Sequence, residues 1–179
     1  KPKLLVIKRR NGSGGNNWGF WVDTSGNGTS DQRLLMNGQA SNYDNNHVTF
    51  GTSTITLPSS NNDDWNGNTN TYIAWAFLET QGYSKFGKYV ANNSSDGNFL
   101  HLGFKPAFFM VKPAEGGSAS ARNWRMFDNK RSPFNEMDEQ LFTNTNGQQT
   151  TGDHEMDFVS NGVKIRCNDG GLNTSGETY

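Results

Sequence analysis

Cysteine is nearly missing from this chain: Cys167 is the single one in 179 residues. A lone thiol excludes an internal disulfide framework and any zinc site built from several cysteines. Charge is scarce as well. Charged residues make up 18% of the sequence, against about a quarter in an average globular protein, and the net charge is −1. Phosphate neutralisation needs a basic field, so the near-neutral charge argues against nucleic acid as a partner. The densest basic run, Lys8-Arg9-Arg10, falls at a strand end and reads as a solvated tip. No apolar stretch approaches the roughly 20 residues that cross a bilayer as a helix, which argues against membrane insertion. Sequence signatures of catalysis are also lacking. Gly116-Gly117-Ser118-Ala119-Ser120 does not have the Gly-x-Ser-x-Gly order of a nucleophile elbow. His47, His101 and His154 show no metal-ligand spacing. A glycosidase needs two convergent carboxylates, which sequence order does not reveal.

What the chain does have is asparagine (24 residues), glycine (21) and aromatic side chains (12%). Asn and Gly tolerate positive φ and cluster in turns, while the aromatics supply large buried areas. Short strands joined by polar turns are the natural reading. The apolar run Lys3–Lys8 has the length and aliphatic character of a strand buried on both faces, and Phe108–Lys112 is its counterpart. Trp18–Val22, Trp124–Phe127, Leu34–Met36, Leu141–Phe142 and Tyr72–Leu78 are further strands. His47–Phe50, Thr54–Leu57, Glu155–Phe158 and Val163–Arg166 alternate polar and apolar, as half-buried strands do. Asn161-Gly162 between two such runs is a strong hairpin signal. Ser132–Leu141, with Pro133 near its start, is the one segment expected to form a helical turn.

These elements recur in order. Lys1-Pro2-Lys3-Leu4-Leu5-Val6-Ile7-Lys8 returns 104 residues later as Lys105-Pro106-Ala107-Phe108-Phe109-Met110-Val111-Lys112. Trp18, Asp23, Asn37 and Thr71-Tyr72 then match Trp124, Asp128, Asn144 and Thr178-Tyr179. An ordered self-match with this period indicates two like domains in tandem, the alternative being a single domain with two similar halves. The boundaries expected are 1–81 and 82–179, the first copy lacking its opening strands and the second its last strand. Glu79–Lys85 is a short joint, which should hold the copies close together on a shared face. The fold class expected is all-β: two tandem antiparallel β-sandwiches of jelly-roll or concanavalin-like type, both incomplete at one end.

Two clusters invite a chemical reading. Asn62, Asp63 and Asp64 precede Trp65 in a polar loop. Trp65 is the tryptophan expected to be exposed, either as a glycan-stacking platform with those polar neighbours or as cover for a domain edge. Trp75 is assigned to the core, and Trp18 and Trp124, which recur, to packing. The same loop offers oxygen donors to calcium but lacks the spaced carboxylates and closing Glu of an EF-hand loop, so a polar turn is preferred and no cofactor is assigned. Asp153, Glu155 and Asp157 alternate with His154 and read as a solvent-facing row of carboxylates.

Gly103–Lys112, Asn123-Trp124, Phe127-Asp128-Asn129-Lys130-Arg131-Ser132-Pro133-Phe134-Asn135, Asp157–Arg166 and Asn173–Tyr179 together resemble an uncharacterised repeat domain of tail-fibre-like virion structural proteins of tailed phages, many marine or cyanobacterial. Residues 72–87 resemble the junction between its copies. The first half is more divergent and lacks the Asp-Asn-Lys-Arg-x-Pro-Phe-Asn stretch. The resemblance implies a β-sandwich displayed on a virion, without catalytic residues. It also implies other copies of itself and other virion proteins as partners and by analogy a homo-oligomer, most simply a trimer, while a host surface glycan as receptor is the expectation that goes with the Trp65 platform. The alternative is a secreted, lectin-like carbohydrate-binding adhesin module of a cell.

Overall fold

The computed structural model describes the chain apart from residues 13–16, 31–32, 40–46, 59–63, 115–121 and 153. The described residues form twelve strands and no helix. β1 (Leu4–Arg9), β2 (Trp18–Val22), β3 (Leu34–Leu35) and β6 (Tyr72–Phe77) make one antiparallel sheet in the order β3-β2-β1-β6. β4 (Thr49–Phe50) and β5 (Ile55–Thr56) form a hairpin. In the second half, β8 (Phe108–Val111), β9 (Arg125–Asp128) and β10 (Leu141–Phe142) make a sheet ordered β10-β9-β8. β11 (Met156–Val159) and β12 (Gly162–Ile165) pair as a hairpin, and β7 (Phe99–His101) adds to the far edge of β12. The protein is therefore all-β, built of several antiparallel sheets.

The pairing order recurs with the sequence. β1-β2-β3 and β8-β9-β10 are the same antiparallel succession, each followed by a hairpin. Local contacts recur too. Asp23 ends the loop after β2 by accepting the amides of Gly26 (2.7 Å) and Gly28 (2.9 Å). Asp128 does the same after β9 with Lys130 and Arg131, both at 3.0 Å. Asn37 Oδ1 accepts the Trp18 amide and Asn144 Oδ1 the Trp124 amide, each at 2.9 Å. The Tyr72 hydroxyl accepts from Gly67 N (2.7 Å) and the Tyr179 hydroxyl from Thr174 N (3.1 Å).

Three apolar interiors follow from strand alternation. Leu5 and Ile7 point to one side of β1, where they meet Trp21, Val48, Phe50 and Trp65. Val111 of β8 packs with Phe127, Met156, Phe158, Val163 and Ile165. Leu4 and Val6 point the other way and join Phe20, Leu34 and Trp124 in a third cluster made from both halves. That cluster explains why β1 is buried on both faces, as its continuous apolar run predicts. The Trp124 indole N–H donates to Leu35 O (2.8 Å) inside it, and Phe20 meets the Trp124 ring edge-on at 4.8 Å. The joint is anchored as well: Glu79 pairs with Lys3 (3.0 Å) and Lys85 (3.6 Å) and accepts the Phe86 amide (3.0 Å).

Several expectations are corrected. Ser132–Leu141 forms no helix; Met137 exchanges backbone hydrogen bonds with Met156, and Gln140 with Thr150. Burial of Met137 and Gln140 draws that stretch onto the sheet. Arg9, within the basic run, is buried rather than solvated. The hairpin expected at Asn161-Gly162 is present, with Val159 opposite Gly162. A Cβ on Gly162 would stand 2.0 Å from Leu100 O, so only glycine lets β7 approach there.

Candidate functional site

Asn62 and Asp63 lie outside the described residues. Asp64 accepts a hydrogen bond from Asn17 Nδ2 (3.0 Å). Trp65 is 1% exposed, which corrects the expectation that it stands in solvent. Its ring carries the Arg33 guanidinium 3.8 Å from the centroid, and Trp21 meets it edge-on at 5.7 Å. Both approaches to the indole are thus occupied by protein. The sequence held a signal for this: at the offset of 107 that relates Tyr72 to Tyr179, the counterpart of Trp65 is Leu172, which is fully buried.

The carboxylate row is also revised. Asp153 lies outside the described residues. Asp157 is buried and bonded to Arg166 Nε (2.7 Å) instead of facing solvent. His154 is buried between Gln140 Nε2 (2.9 Å) and the Asp169 carboxylate. No group of three or more His, Cys, Asp or Glu among the described residues is arranged to hold a metal ion.

The surface with unusual chemistry is apolar. β6 is the edge strand of its sheet, and Ile73 (41%), Trp75 (37%) and Phe77 (44%) share the face to which Lys8, Val6 and Leu4 point. Trp75, assigned from sequence to the core, stacks on Trp18 at 5.4 Å, with Lys8 Nζ 5.6 Å from the Trp18 centroid. Strand alternation placed Trp75 in a strand correctly, but it cannot say whether anything covers that face. Phe108 on β8 is 53% exposed. Between the two sheets lies a cavity of about 1250 Å³, walled by Leu4, Val6 and Phe20 on one side and by Phe86, Phe108 and Met110 on the other.

Lys112 closes one end of this region. It is 2% exposed, and its ammonium donates to Gly38 O (3.1 Å) and to Arg122 O, tying the halves together. Burial, with repulsion from Arg122 and Arg125 added, lowers its pKa to about 8.

A family model described as a domain of unknown function, DUF7483, matches residues 1–179. The chain belongs to the DUF7483 family. Comparison with curated proteins and with solved structures found no match. Within this DUF7483 chain, exposed aromatic and aliphatic side chains stand beside a sheet-edge strand and an apolar cavity. No helix of the described residues is long and apolar enough to cross a membrane.

Proposed function

We propose that this DUF7483 domain is a non-enzymatic structural module of a virion, a phage fibre, spike or surface appendage that serves particle assembly or host attachment. In this reading residues 1–81 and 82–179 are tandem jelly-roll-like sandwiches packed back to back. The observation that carries it is the exposed apolar strip of Ile73, Trp75 and Phe77 along β6, with Phe108 also exposed on β8. Such strips beside a folded core mark contacts with other protein surfaces. Repeated β-modules joined by a buried aromatic contact, Trp124 against Phe20 and Leu35, suit a stiff rod that transmits load along its length. Partners are then further copies of the chain and neighbouring virion proteins, in a closed cyclic homo-oligomer.

Antibodies raised against the chain, imaged by electron microscopy on particles and on cells of the source, test this reading. Labelling of a fibre or appendage on the particle is expected. Labelling confined to the cell envelope would overturn it in favour of an adhesin.

A further inference from the structure

β1 and β8 are counterparts in sequence, yet among the described residues β1 is paired on both sides and β8 on one. The direction of the free side follows from the ladder. Asn129 N donates to Ala107 O (3.0 Å), so Ala107 points its backbone groups at β9. By alternation Phe109 and Val111 do the same, while Phe108, Met110 and Lys112 turn theirs to the open edge. On β1 the equivalent residues Leu4, Val6 and Lys8 face β6. That ladder begins where Arg10 N donates to Thr71 O (2.8 Å). The same opening bond exists beside β8, where Ala114 N donates to Thr178 O (2.7 Å). Direction and register of a further antiparallel strand are therefore already set along Lys112, Met110 and Phe108.

We propose that the open edge of β8 is an acceptor for an antiparallel strand of the β6 type, one that alternates large apolar residues with small ones. The cavity gives the reason for that pattern. In β6, Ile73, Trp75 and Phe77 lie opposite Lys8, Val6 and Leu4, and Ala74 and Ala76 lie opposite Ile7 and Leu5. Beside β8 the same register directs the large side chains to the face of Met110, into the space walled by Leu4, Val6 and Phe86. The small ones pass on the face of Phe109 and Val111, where the second interior is already filled. Main-chain bonds supply affinity and the cavity supplies selectivity, as in strand addition generally. The inference rests on backbone geometry and stands apart from which particle, if any, carries the chain.

The test titrates a fluorescent peptide of residues 71–79 into the 179-residue protein. Saturable binding to one site is expected. N-methylation at Ile73 and Trp75, whose amides face the acceptor, should weaken it by about tenfold or more, the equivalent of one or two lost hydrogen bonds. N-methylation at Ala74 and Ala76 should leave it unchanged. Met110→Pro removes the outward amide together with a side chain that packs on the third cluster, so it should lose binding that Met110→Ala, which trims the side chain and keeps the amide, retains. Several results would overturn the proposal: no saturable binding, equal weakening by both methylation patterns, or binding that survives Met110→Pro (which would mean exchange with β6 at β1). Dimers of the chain that form through β8 and that excess peptide does not dissolve would assign the edge to a second copy instead, and overturn it too.

Discussion

Replacing Trp124 by alanine tests whether the two halves share one interior. The indole is 4% exposed and sits among Leu4, Val6, Phe20 and Leu34, all from the first half. Truncating a buried tryptophan costs about 3–5 kcal/mol through lost transfer energy and the cavity left behind. Part of that cost is polar. Met36 N bonds Trp18 O, so alternation turns the Leu35 carbonyl away from β2, and its partner there is the Trp124 indole. Trp124→Phe keeps most of the volume but orphans that carbonyl, at about 1–3 kcal/mol. The edge-on contact with Phe20 should appear in a double-mutant cycle of Phe20→Ala and Trp124→Ala as a coupling of about 0.5–1.5 kcal/mol. Urea unfolding followed by circular dichroism reads the parent and the four variants. A loss under about 1 kcal/mol for Trp124→Ala, the range of a surface substitution, would refute the shared interior.

Stability should rise with pH between about 8 and 10 because of Lys112. Below pH 8 its ammonium is charged in both states and the burial cost is fully present. As pH rises through its lowered folded value, the folded lysine releases a proton that the unfolded chain still holds. Folding is favoured by up to about 3 kcal/mol by the time the ordinary value of 10.5 is reached. Above pH 10 the trend should reverse, since burial raises the Tyr89 and Tyr179 hydroxyl pKa values and only the unfolded tyrosines ionise. Urea midpoints at several pH values check this, and Lys112→Met should flatten the rise. Trp65→Ala should lower stability by about 3–5 kcal/mol, as expected for a buried indole. If instead it leaves the urea midpoint unchanged, the packing of Trp65 against Arg33 and Trp21 is wrong.

Most of the fold was legible because it rests on local rules. The continuous aliphatic run marked β1, alternation marked β11 and β12, and the recurring Asp23/Asp128 and Asn37/Asn144 pairs marked contacts that the structure repeats. What sequence could not supply depended on neighbours. β7 is three residues long, too short to show a period. Ser132–Leu141 has the composition of a helical turn, but Met137 gains more by entering the second interior. Trp65 and Trp75 were assigned in reverse. A polar loop can fold its one indole inward when Arg33 caps it, and an apolar strand can stand at a sheet edge. The internal repeat would have corrected the first error through Leu172; nothing comparable existed for the second, because among the described residues no strand pairs with the open edge of β8 to compare with β6.

Native-state hydrogen exchange tests the central claim, that two like strand frameworks are joined into one cooperative unit through the layer around Trp124. The amides to follow are Phe50, bonded to Gly28 O (2.7 Å) in the first half, and Ile165, bonded to Asn98 O (3.0 Å) in the second. A joined unit should open both with the same free energy, within about 1 kcal/mol, equal to that of global unfolding. Opening of one half several kcal/mol more easily, with the other still protected, would contradict it.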